Sequence, residues 1–340
     1  VCHSSPGQCG AGETRSIGGI SICRTVQEQT YVIWITIDWN DCEAPEHFTW
    51  TSSTKDRVGD TTMFVCDKLV YLQLQKTACT HIARLLDRTV GGSPGTPRTK
   101  HFRLPPELRG SFVVGSVRNP YEWYVSLWAH GCKGGGTPHG MHTSRYHFRH
   151  RFRYWWALPT MRPRDLLRGL AHELFLTPVT EWRKLYADAY DPRLFRRWLK
   201  MVLDPNRRYD IGESYGESCV WPCAGFFTYR YLRLFSNDIS WLYQSRKITD
   251  KEALKEYDAK YNQLDRVIRV EHLDKDLLDT LRCAGYDVTE SIVREVVNAS
   301  KTNASDHSPA QSYYDTETAR LVAEREALII DKYQYEAPNG

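Results

Sequence analysis

The sequence predicts an α/β fold in three layers, a central parallel sheet flanked by helices. Three observations carry this. Short apolar runs at residues 69–74, 111–117 and 267–271 have the length and composition of buried strands. Each is followed by a segment of helical pattern, and strands alternating with helices favour a parallel sheet covered on both faces. Gly/Pro-rich breaks at residues 91–99 and 131–140 punctuate the alternation.

Taken in order, residues 69–74 form the first strand, and residues 80–87 open a helix. The run 111–117 is the second strand, and Pro120, at a first helical turn, starts a helix reaching about His130. The stretch of about 131–245 reads as an insertion rich in Arg and aromatic residues. Residues 267–271 are a third strand, and residues 273–283 a helix closed by Gly285. One amphipathic helix, residues 317–332, ends the fold.

Residues 1–62 differ in composition from the rest, and the first methionine is Met63. The expectation is an accessory or non-native extension over 1–62 and a functional domain over 63–340. The competing expectation makes residues 31–39, with alternating apolar side chains, an edge strand of the protein.

Composition narrows the function. With 340 residues, 41% hydrophobic and 25% charged, the chain can fill a large core, and a net charge of +4 is too small to demand nucleic acid. No run approaches the ~20 apolar residues of a membrane span, and no basic-then-apolar leader precedes residue 30. A cytoplasmic location is expected, and with it reduced cysteines. Of the 10 cysteines only Cys219 and Cys223 lie close together, and no second pair completes a metal site.

Chemistry concentrates in two blocks. In Gln75-Lys76-Thr77-Ala78-Cys79-Thr80-His81, a strand turns into a helix start. Backbone N–H groups and the positive helix end gather there, with Lys76 as a mobile charge and the Thr77 and Thr80 hydroxyls as donors. That is a phosphate cradle of P-loop-like form, without the glycines of Gly-x-x-x-x-Gly-Lys-Ser/Thr. In the second block a strand ends at Arg118, Asn119-Pro120 turns the chain, and Ser126 follows. An arginine at a strand's carboxyl end faces the crevice where α/β proteins bind ligands, and its planar fork suits a phosphate monoester.

Together these blocks resemble the sulfotransferase superfamily that uses 3′-phosphoadenosine 5′-phosphosulfate (PAPS), its bacterial and carbohydrate-type members in particular. There a Pro-Lys-Thr/Ser-Gly-Ser/Thr-Thr/Ser-type loop grips the donor's 5′ end. An Arg with a Ser eight positions on grips its 3′-phosphate, the spacing of Arg118 and Ser126. Here Gln75 replaces the proline, Ala78 the glycine and Cys79 the serine. The end of the chain is similar too: Asn298–Asn303, containing Lys301, then Tyr313-Tyr314-Asp315, a helix, and Tyr333-Gln334-Tyr335-Glu336 with Gln334 at a glycine position.

The resemblance implies sulfuryl transfer from PAPS to an acceptor hydroxyl, preferably on a carbohydrate or glycolipid. Residues 76–81, Arg118, Ser126 and Lys301 would bind the donor, and Lys76 would steady the leaving phosphate. No metal is expected, because a sulfuryl group carries less charge than a phosphoryl group. His101 is the expected base, with His142, His147 and Glu122 behind it. In the arginine- and aromatic-rich stretch 142–156, Arg149, Arg151 and Trp155 are expected on the acceptor. The same pattern also suits a solvated amphipathic cover or, less well, nucleic acid. The alternatives are a P-loop nucleotide kinase, which needs the missing glycines and a strand-end aspartate, and a non-catalytic module for anionic polymers.

Overall fold

The computed structural model describes residues 14–17, 20–27, 30–37, 64–94, 103–143, 179–244, 248–299 and 307–338. The chain divides into two units, Val1–Val58 and Gly59–Gly340. In the first, β1 (Thr14–Ile17), β2 (Ile20–Gln27) and β3 (Thr30–Ile37) form an antiparallel sheet in sequence order. The alternating run beginning at Tyr31 is thus an edge strand of a separate small sheet, paired from Thr30↔Gln27 to Ile37↔Ile20.

The second unit is a mixed α/β body. Its strands are β4 (Phe64–Val65), β5 (Leu69–Leu72), β6 (Ser93–Pro94), β7 (Phe112–Val117) and β8 (Arg266–Arg269), in the order β6-β4-β5-β7-β8. β5, β7 and β8 run parallel, whereas β4 pairs antiparallel with both β5 and β6. The expected parallel sheet is therefore β5, β7 and β8 alone, and the other side of the sheet is antiparallel, made of two-residue strands.

The two-residue period of the strands sorts side chains onto two faces. Val70 and Leu72 of β5, with Val113 and Val117 of β7, enter one core. There they meet α2 (Pro120–Cys132), α5 (Pro192–Leu203) and α6 (Phe226–Phe235) through Trp128, Trp198 and Phe227. Leu69, Tyr71, Val114 and Ile268 enter the other, against Ile82 and Leu85 of α1 (Cys79–Val90), Leu277 and Leu281 of α9 (Leu273–Cys283) and Val296 of α10 (Glu290–Asn298). The remaining described helices are α3 (Thr137–Thr143), α4 (Val179–Leu185), α7 (Ser240–Gln244), α8 (Lys251–Tyr261), α11 (Thr316–Arg325) and α12 (Ala327–Tyr333). No described helix is long and apolar enough to cross a membrane. Cys66, Cys132, Cys219, Cys223 and Cys283 are free thiols.

Two expected elements change. The glycine-rich break contains the end of α2 and the short α3. The single final helix is two, α11 and α12, interrupted at Glu326. That carboxylate is fully buried and accepts from the Thr228 N–H (2.8 Å), the Thr228 hydroxyl (2.6 Å), the Phe227 N–H (3.3 Å) and the Tyr124 hydroxyl. Burying a carboxylate demands such partners, so a helix break that delivers it to them is favourable.

Candidate functional site

The turn between β5 and α1 has an unusual backbone. Lys76 (φ 65°) and Ala78 (φ 54°) take positive φ, and Thr77 between them does not. Such alternation turns successive N–H groups to one side and makes a concave anion site. It leads into the amino end of a twelve-residue helix whose N-cap, Ala78, makes no side-chain cap bond. The first-turn N–H groups and the helix dipole then face the same concavity.

Neither left-handed residue is a glycine, and each costs roughly 1–2 kcal/mol in that conformation. Two sets of bonds hold the turn. Thr77 Oγ1 donates to Leu74 O (2.8 Å), so it accepts from Ser116 Oγ (2.7 Å), which in turn accepts from the Tyr71 hydroxyl (2.7 Å). All three hydroxyl side chains are buried. From the other side the Trp123 indole N–H donates to Gln75 O (2.8 Å). The Thr77 hydroxyl, expected on a ligand, is spent on the fold.

Lys76 is more than half buried, and burial, with the Arg118 guanidinium second and Lys133 also opposing it, pulls its pKa down to about 8. Lys76 and Arg118 are thus close enough to repel each other across the gap between two neighbouring strand ends, where a dianion would be held by both. Arg118 donates to Glu122 Oε2 (2.9 Å), one turn along α2, which keeps the guanidinium partly covered. Asn119 caps α2 by accepting from the Tyr121 N–H (3.0 Å). Its own N–H donates to Glu271 (2.7 Å) and its amide to Glu336 O (3.1 Å), so the chain's last described residues brace the Arg118 turn.

Other expected residues fall elsewhere. Ser126 is buried in α2. Cys79 and His81 are buried against α1's own core face, and burial lowers the His81 pKa. His142 is a core histidine: its Nδ1 lies 2.7 Å from the Tyr186 hydroxyl, and its ring stacks on Trp182 at 3.8 Å. Glu122 is engaged by Arg118, so neither alternative base stands open. His101, His147, Arg149, Arg151, Trp155 and Lys301 lie outside the described residues.

One residue was missed. After Arg118, the α2 residues Glu122, Ser126 and His130 follow at four-residue steps, successive neighbours along the helix surface. His130, at the end of this run, keeps part of its ring open to solvent, and the partial burial first, then Lys76, His139 and Lys133, lower its pKa. Gly135 and Gly136 fold over its ring: a Cβ on Gly135 would lie 2.4 Å from the imidazole. Part of the glycine-rich break thus packs against this histidine. The spacing was visible in the sequence, but the glycines that follow drew the reading toward a loop.

Among the described residues no three or more His, Cys, Asp or Glu side chains are grouped to hold a metal ion. Comparison with family models, with curated proteins and with solved structures finds no match to this chain.

Proposed function

We propose that this protein is a PAPS-dependent sulfotransferase with a P-loop-like donor site. A single observation carries it: the alternating-φ turn with Lys76 stands beside Arg118 at adjacent parallel strand ends, so one ligand with two separate phosphoryl-type groups can meet both. A nucleoside bearing anionic groups at 3′ and 5′ has that form. Lys76 and the N–H groups of residues 77–79 hold the 5′ side, and Arg118 holds the 3′-phosphate after exchanging Glu122 for it.

In the reaction the acceptor oxygen forms a bond to sulfur while the sulfur–oxygen bond to the 5′-phosphate breaks. The bond's electron pair leaves with adenosine 3′,5′-bisphosphate, where Lys76 offsets the growing charge. The acceptor's proton goes to a histidine, and two are proposed: His101 and His130. Burial first, then Lys76, His139 and Lys133, lower the His130 pKa, the direction a proton acceptor needs. The acceptor hydroxyl is proposed to sit on a carbohydrate or glycolipid.

The test is thermal stabilisation by adenosine 3′,5′-bisphosphate set against magnesium-ATP. Saturating bisphosphate at about a hundred times its Kd adds about 2.7 kcal/mol. Stabilisation by magnesium-ATP alone defeats the proposal. Transfer of label from PAPS onto oligosaccharide acceptors, in His101→Gln and His130→Gln variants that still bind bisphosphate, then assigns the base.

A further inference from the structure

A cleft of about 610 Å³ runs along the outer side of β8, away from the Lys76 turn. Among the described residues β8 is the last strand of its sheet and pairs only with β7. Val113 of β7 turns both backbone groups toward β8: its N–H donates to Asp265 Oδ2 (2.7 Å) and its C=O accepts from the Asp265 N–H (2.8 Å). The Arg269 N–H points the opposite way and donates to Asp276 (3.0 Å). Because backbone groups alternate along a ladder, Val267 shares that outer edge, and Val267 lines the cleft.

The walls are two helices on opposite faces of the sheet. Ile268 packs into the core with α9, and Val267 against the core that includes Leu328 and Ile329 of α12. The cleft therefore has a strand edge at its floor and a helix on either side.

Its charge is one-sided. Arg266, Arg269, Lys275, Arg282 and Lys332 line it, against the carboxylates of Asp276 and Asp279 alone. Both carboxylates are engaged, Asp276 by Arg269 (2.8 Å) and Asp279 by Arg282 (2.8 Å), while Lys332 pairs with Asp258. Arg266 and Lys275 have no ion-pair partner among the described residues. These two cations share one side of the cleft, Arg266 on the strand face of Ile268 and Lys275 on α9, so every second side chain of an extended guest meets them.

We propose that the open edge of β8 takes up an extended acidic segment of a partner protein as an added strand. Main-chain bonds to Val267 fix its register, and Arg266 and Lys275 select its acidic side chains. This site is independent of the donor site and of the chemistry proposed there.

The test is fluorescence anisotropy of a fluorescein-labelled peptide of Glu-Glu-Val repeats with the full-length protein. Saturable binding is expected, weakened about tenfold or more in the double variant R266E/K275E. That variant should melt like the parent, because both side chains are exposed. N-methylating alternate peptide amides should weaken binding about tenfold too, since it deletes ladder bonds and leaves the charge. Equal binding of the methylated peptide, or equal competition by a sulfated oligosaccharide, would reduce the cleft to a polyanion patch and overturn the proposal. So would an absence of peptide binding, or full binding by R266E/K275E.

Discussion

The Lys76 ammonium should make donor-product affinity fall with pH in a range where an ordinary lysine would change nothing. In the free protein burial and Arg118 hold its pKa near about 8. The depressed value means that the fold prefers neutral Lys76, whereas a bound phosphate prefers the ammonium. Affinity is therefore full below the depressed pKa and is lost as pH rises through it. Between about pH 7 and about pH 9 the protonated fraction drops from roughly nine-tenths to roughly one-tenth, so affinity for adenosine 3′,5′-bisphosphate should fall about tenfold, ~1.4 kcal/mol. A lysine titrating at its usual ~10.4 would lose only a few per cent over the same range.

Isothermal titration calorimetry at three pH values reads this directly, and two buffers of different ionisation enthalpy report the proton taken up on binding. Lys76→Arg supplies the control, since a guanidinium stays charged throughout and should flatten the profile. His130 titrates below the range, its pKa being lowered. The reasoning is refuted by a flat wild-type profile, or by a slope that persists in Lys76→Arg.

Three further outcomes follow from the packing of the same region. Ser116→Ala removes the middle of the Tyr71–Ser116–Thr77 relay and should cost about 1–3 kcal/mol in urea unfolding. Adding Tyr71→Phe should recover part of it, because the orphaned donor is gone. Ala78→Gly relieves a left-handed alanine and, after the entropy of a freer unfolded chain, should stabilise by roughly 0.5–1 kcal/mol, whereas Ala78→Val should destabilise. Glu326→Gln turns an amide N–H₂ toward hydrogen-bond donors and should cost about 1–3 kcal/mol, read as a lowered Tm, with Glu326→Ala worse.

The parts of the fold legible in the sequence are those whose cause is local. β5 and β7 are apolar runs, and Asn119-Pro120 is a cap followed by a first-turn proline, so strand, turn and helix were placed to within a few residues. β4 and β6 are two residues each, too short to carry a period, so the antiparallel edge left no trace. The break between α11 and α12 comes from Glu326 reaching Tyr124 and Thr228, partners about a hundred or more positions away, which no helical pattern records. Likewise Thr77 turns inward because Ser116 lies across the sheet, not because of its neighbours.

The departures from the family form are most informative where they meet the backbone. Ala78 and Gln334 stand where the resemblance expects glycine, and both adopt left-handed φ, 54° and 55°. Each position holds, without glycine, the conformation that glycine makes cheap. At Ala78 the strain is met by the buried hydroxyl relay beneath the turn and the Trp123 bond above it. Strain that is over-determined by its surroundings in this way is a mark of a functional turn. Relaxing Ala78 to negative φ would disturb those bonds as well as the concavity, so the packing around the turn keeps its N–H groups on one side beside Lys76.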